Sequence, residues 1–172
     1  KMVHYKVCDY ALVRRQKRRS HHIASPKEET ALTMNEKIEA MLEKVQKAPR
    51  YTGGEMNTTV KSWDEAALHF AFCFPDTYEI AMSHLGMKIL YHGINKEPDM
   101  LCERVCMPWV DMKALMEEEN VPLFSLESRT PLHQFDVVGF TLQYEMSYTN
   151  ILAMLKLGGI PVLNADRAED AP

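Results

Sequence analysis

Two uninterrupted apolar runs constrain this chain more than anything else in it: residues 70–74, FAFCF, and residues 136–142, DVVGFTL. Each has strand length, and each gives way to a loop and then to a helical pattern. A strand that is apolar on both faces must be covered on both, which is the situation of a parallel strand in an α/β sheet. Pro75 and Asp76 stop the first run, after which Met82, Leu85, Ile89 and Leu90 recur at helical spacing. Residues 100–106, MLCERVC, read as another strand ended by Pro108. A second helix follows over residues 110–119, with Met112, Leu115 and Met116 apolar, and Pro122 breaks it. A third helix carries Ile151, Leu152 and Leu155 and ends at Gly158 and Gly159. Residues 123–126 and 160–163 are short extended pieces. This order predicts a three-layer, Rossmann-like (flavodoxin-like) α/β domain with a small, mainly parallel sheet in which residues 136–142 are a central strand. Ligands of such sheets sit at the carboxyl ends of the strands, so the loop at 75–83 is the first place to look for function.

Ahead of this domain, Ile38, Met41, Leu42 and Val45 follow i, i+3, i+4, i+7 spacing, an amphipathic helix over residues 35–47. Thr33 and Glu36 have capping-box spacing at its start, and Pro49 ends it. Gly53 and Gly54, beside Arg50 and Tyr51, are either a turn with Tyr51 packed down as an anchor or a close approach to a phosphate or a neighbouring domain. The net charge of −4 hides an asymmetry, because residues 1–33 carry +5 and the remainder −9. The basic segment, centred on residues 14–19, RRQKRR, reads as a disordered tail, as an arm for nucleic acid or a membrane surface, or as an upstream extension of a frame that starts at Met34. The acidic body disfavours nucleic acid. The expected organisation is therefore a tail at 1–33, a helix and Gly-Gly loop at 34–62, and a Rossmann-like domain at 63–172, cut short at its C-terminal end.

A hydrophobic content of 46% is enough for a buried core. No apolar run approaches the roughly 20 residues that cross a bilayer. Four cysteines without regular spacing imply reduced thiols, and with no leader in view the expected compartment is the cytoplasm.

Few chemical signatures survive inspection. The chain has no GxxxxGK[ST], GxGxxG or GxSxG. Cys102 and Cys106 form CxxxC, but the position that would complete CxxxCxxC is Trp109, and a four-iron cluster needs a third thiolate there. Histidine-on cobalamin binding needs DxHxxG. His84 stands two residues before Gly86 with Met82 in the aspartate's place, so cobalamin held through a histidine is not expected. The remaining histidines are isolated and lack metal-ligand spacing. Acids, serines and tyrosines at the strand ends, Asp76, Tyr78, Glu79, Ser83, Glu103, Glu127, Tyr144, Glu145 and Ser147, converge if the sheet is parallel, and in the loops there Asp76, Tyr78, Ser83 and Gly86 have Gln143, Tyr144, Glu145 and Ser147 facing them. They are expected to contact a ligand or a docking domain through backbone amides, hydroxyls and carboxylates.

The runs at 44–55 (KVQKAPRYTGGE), 72–86 (FCFPDTYEIAMSHLG), 89–92 (ILYH), 102–104 (CER), 122–128 (PLFSLES) and 139–152 (GFTLQYEMSYTNIL) together resemble the N-terminal region of a family of bacterial radical S-adenosylmethionine (SAM) proteins. Those proteins carry a cobalamin-binding-like Rossmann domain ahead of a catalytic barrel. The resemblance covers residues 34–170 and implies that the CxxxCxxC loop, the [4Fe–4S] cluster and the SAM pocket lie in a barrel outside this chain, its partner in cis. No cofactor is expected in this chain, which is not expected to be catalytic alone. An autonomous flavodoxin-like module with a small ligand at its strand ends is the alternative.

Overall fold

A computed structural model describes residues 32–168 and 171–172. The basic tail expected at 1–33 lies outside the described residues apart from Leu32 and Thr33. Three parallel strands, β1 (Leu68–Phe74), β2 (Met100–Cys106) and β3 (Val137–Phe140), make one sheet in the order β2-β1-β3. In register, Phe70 stands opposite Cys102 on one side and Val137 on the other. The helices are α1 (Met34–Leu42), α2 (Tyr78–Ser83), α3 (Leu85–Asn95), α4 (Val110–Glu119) and α5 (Tyr148–Leu157).

Alternation along the strands sorts the core into two layers. Ala71, Cys73 and Val105 pack with Ile38 and Met41 of α1, Met112 and Met116 of α4, and Met154 of α5. Phe72, Phe74 and Cys102 pack on the opposite face with Ala81 of α2 and with Met87 and Tyr91 of α3. The domain is thus a three-layer α/β sandwich, as the apolar runs require. Each of these fully buried aliphatic side chains stabilises the fold by about 1.5–3 kcal/mol. The first helix shares this core rather than standing apart. Thr33 closes a reciprocal capping box with Glu36. Tyr51 is buried, as an anchor should be, and its hydroxyl accepts the Trp109 N–H at 3.1 Å.

Several elements differ from their sequence patterns. The run at 136–142 is an edge strand of four residues, not a central one, because the chain returns on the far side of β1 and leaves Val137 exposed. β1 is the central strand. The helical pattern after β1 is two helices, broken at His84, whose Nδ1 accepts the Met87 N–H at 3.1 Å and caps α3. Within α3 the inward residues are Met87, Tyr91 and Asn95, while Leu85, Ile89 and Leu90 face outward. Asn95 earns its inward place by exchanging two hydrogen bonds with the Cys102 backbone, at 2.9 and 3.0 Å. The helix expected at 35–47 stops at Leu42, although Val45 still packs on the core. Residues 123–126 form only a bridge, Phe124 to Pro131, and 160–163 form no strand.

The free edge of β2 is sealed by side chains and a crossing loop. Lys61 Nζ donates to the Met100 carbonyl at 2.7 Å, Asn95 covers Cys102, Leu126 N–H donates to the Arg104 carbonyl at 2.8 Å, and Glu127 accepts the Arg104 N–H at 2.8 Å. An edge closed in this way offers no template for strand pairing.

Candidate functional site

Arg104 lies in the middle of β2 and points to the α3 face. Its side chain is only 9% exposed, and it is held by groups from two distant loops and from α2 and α3. Nε donates to Glu127 at 2.6 Å, and Nη2 donates to Glu55 at 2.7 Å and to the Thr58 hydroxyl at 3.3 Å. Nη1 meets Met82 Sδ at 3.2 Å, and the guanidinium stands 5.0 Å from the Tyr91 ring centroid. Tyr78 donates from its hydroxyl to the other oxygen of Glu55 at 2.6 Å. Glu55 reaches this position through Gly53 and Gly54, whose φ values of 60° and 78° favour glycine. At Gly53 a Cβ would sit 2.2 Å from the Leu126 carbonyl oxygen, so the close approach left open by the sequence is to the protein's own backbone.

The electrostatics follow from burial and pairing. Burial pushes the Glu55 carboxyl up, but hydrogen bonds from Tyr78 and Arg104 outweigh it and hold the group at about 2. Burial pulls Arg104 down, and Glu127 and Glu55 more than reverse that, so the guanidinium stays charged. For Glu127 burial is the larger influence and raises the carboxyl against the pull of Arg104. Tyr78 is pushed up to about 12 by burial and by its bond to Glu55, and Tyr91 to about 12 by burial and by Glu127. Both phenols are therefore donors at neutral pH.

This network forms one wall of a cleft of about 230 Å³. The loop residues Met56, Asn57 and Thr58 close one side, and Met87, Lys88, Tyr91 and His92 of α3 close the other.

A second region lies at the topological switch point, where β1 has a neighbour on either side and the loops after β1 and β3 meet. Asn150 Nδ2 donates to the Pro75 carbonyl at 2.9 Å, and the Thr141 N–H donates to Cys73 O at 3.1 Å. Asp76 caps its own loop by accepting the Thr77 N–H at 2.7 Å. Gln143 bonds Thr141, Tyr144 and Glu145 are exposed, and Ser147 is buried at the start of α5. Ser83 donates to the Ile80 carbonyl at the end of α2, and Gly86 lies in the first turn of α3 beside the His84 ring. Of the eight residues singled out in the sequence, only Tyr78 reaches the Arg104 cleft. Glu55, Arg104 and Glu127 were not among those eight. Glu127 is legible only as one of the acids at strand ends, and Glu103-Arg104, a charged pair inside an otherwise apolar strand, is a signal for Arg104 alone.

The described cysteines, Cys73, Cys102 and Cys106, are free thiols. Cys102 and Cys106 are pushed up to about 12, chiefly by burial, and Cys73 is raised as well, so all three are protonated at neutral pH. Among the described residues no three His, Cys, Asp or Glu side chains are grouped to hold a metal.

The class defined so far is a small parallel α/β domain with a cleft beside Arg104 of β2. Residues 86–172, half of the chain, match the family described as radical SAM proteins, N-terminal, and the chain belongs to that family. The matched segment contains Arg104, Glu127 and the loop after β3, while Glu55 and Tyr78 precede it. No curated protein and no solved structure matches the chain. Among the described residues no helix is long and apolar enough to cross a membrane.

Proposed function

We propose that this chain is the accessory domain of a radical SAM iron–sulfur enzyme and that its switch-point rim docks on the catalytic domain, covering substrate or positioning it there. The observation that carries this reading is the family match, taken with what the rim exposes. Trp109 and Val110 follow the carboxyl end of β2, and Tyr144, Met146 and Tyr148 follow that of β3. All five are exposed, Met146 to 79%. Apolar side chains gathered at one end of a sheet suit a surface that another domain covers. Asp76, Gln143 and Glu145 supply hydrogen-bonding groups to the same rim. In this reading the [4Fe–4S] cluster and SAM belong to the catalytic domain, and this chain is not catalytic alone. Cobalamin held through a histidine has no part in it, since His84 is engaged as the cap of α3.

The test is association with the catalytic domain of the same protein. Tyr144→Asp and Met146→Asp are expected to weaken it at least about tenfold with an unchanged circular dichroism spectrum. Equal binding by the variants would remove the rim from the interface.

One observation favours a second reading, an autonomous small-ligand module: the cleft at Arg104 is lined by residues of this domain.

A further inference from the structure

We propose that the Arg104 cleft binds the carboxylate of a small organic acid. The inference goes beyond the accessory-domain reading and stands independently of it, since it concerns the β2 edge and not the rim.

A guanidinium has five N–H donors. In Arg104 the Nε donor is taken by Glu127, and Nη2 faces Glu55 and Thr58. Nη1, with two donors, meets only the thioether of Met82, a weak acceptor. The side chain is only 9% exposed and no buried polar atom among the described residues lacks a partner, so what Nη1 lacks is an oxygen acceptor and not a contact. A charged N–H bonds an oxygen more strongly than a thioether, so an oxygen acceptor brought into the cleft would gain a bond that the free protein does not make.

Charge narrows the choice of acceptor. Arg104 is already balanced by Glu55 and Glu127, and among the described residues the one further full cation lining the cleft is Lys88, on an exposed turn of α3. One negative charge on a ligand has a counterpart in Lys88. A second would lie against Glu55, whose carboxylate lines the same space. A monoanion is therefore favoured over a phosphate dianion, and over a neutral amide that leaves Lys88 unused. Size narrows it further. At about 230 Å³ the cleft is smaller than the roughly 300–1,000 Å³ of sites that enclose drug-sized ligands. The apolar body of the acid would lie against Met82, Met87 and the Tyr91 ring.

Isotope-labelled protein titrated with benzoate, benzamide and phenyl phosphate, and followed by amide chemical shifts, tests this. Benzoate is expected to give saturable shifts confined to residues 55–58, 82–92 and 104, with the other two probes at least about tenfold weaker. Lys88→Gln, which lies outside the ion network and leaves the fold intact, should lower benzoate affinity about tenfold, or 1.4 kcal/mol. Lys88→Arg should retain it. Absence of saturable shifts with benzoate, equal or tighter binding of either other probe, or an unchanged affinity in Lys88→Gln would each overturn the proposal. No catalytic domain is needed, so failure here leaves the docking reading untouched.

Discussion

The β2-edge cleft and the switch-point rim belong to one sheet and are built in opposite ways. The cleft is assembled by side chains far apart in sequence: Arg104 is 49 residues from Glu55 and 23 from Glu127, and all three are at least partly buried. The rim is assembled by the loops that leave the strands, and its apolar side chains are exposed. Substitutions in the cleft should therefore act first on stability, and substitutions in the rim on association. The difference separates a region that must be intact for the domain to fold from one that is free to meet a partner.

The largest expected effect is at Arg104. Arg104→Met leaves Glu127, with a side chain 5% exposed, without its counter-charge, and should lower unfolding free energy by about 3–5 kcal/mol in urea titration. A loss below about 1 kcal/mol would mean that the network is incidental to the fold. Next is Gly53→Ala, which combines a positive φ with a Cβ pressed on the Leu126 carbonyl and should cost about 2 kcal/mol or more. Gly54→Ala, strained in φ but with open space around it, should cost about 1 kcal/mol. Equal losses at the two glycines would show that backbone strain alone matters there.

Acid should dissect the cleft further. Glu55 is held at about 2 in the folded protein against an ordinary value of 4.5. A lowered folded value contributes stability that is present above about 4.5 and is lost as pH falls from there toward 2. Because Glu55 is partly exposed, the loss should be on the order of 2 kcal/mol. Glu55→Gln should flatten this part of the stability–pH curve, and an unchanged acid limb would assign it to other carboxyls. The smallest effect belongs to the rim: Met146→Asp should change stability by no more than about 0.5 kcal/mol.

The same contrast explains what could be read from the sequence. β1, β2 and α4 are local apolar patterns closed by Pro75, Pro108 and Pro122, and their positions follow from the residues themselves. Asp76 and residues 143–145 could be placed at strand ends for the same reason. The inward face of α3 could not. Hydrophobic spacing selects Leu85, Ile89 and Leu90, whereas Asn95 is buried for its bonds to the Cys102 backbone, and Tyr91 for its ring and for a hydroxyl that accepts the Thr59 N–H at 2.9 Å. The cleft was hidden because Glu55, in a polar loop, has no local feature that announces a partner on a strand. The edge position of β3 depends on which side of β1 the chain returns to, and an apolar run does not encode that choice.

Hydrogen exchange tests the central claim most directly: the chain would be measured alone and again with the radical SAM catalytic domain proposed as its partner. Docking through the switch-point rim predicts slowed exchange in residues 108–113 and 141–148, with amides around Arg104 unchanged. Protection confined to the outer face of α3, or no change at the rim, would contradict it.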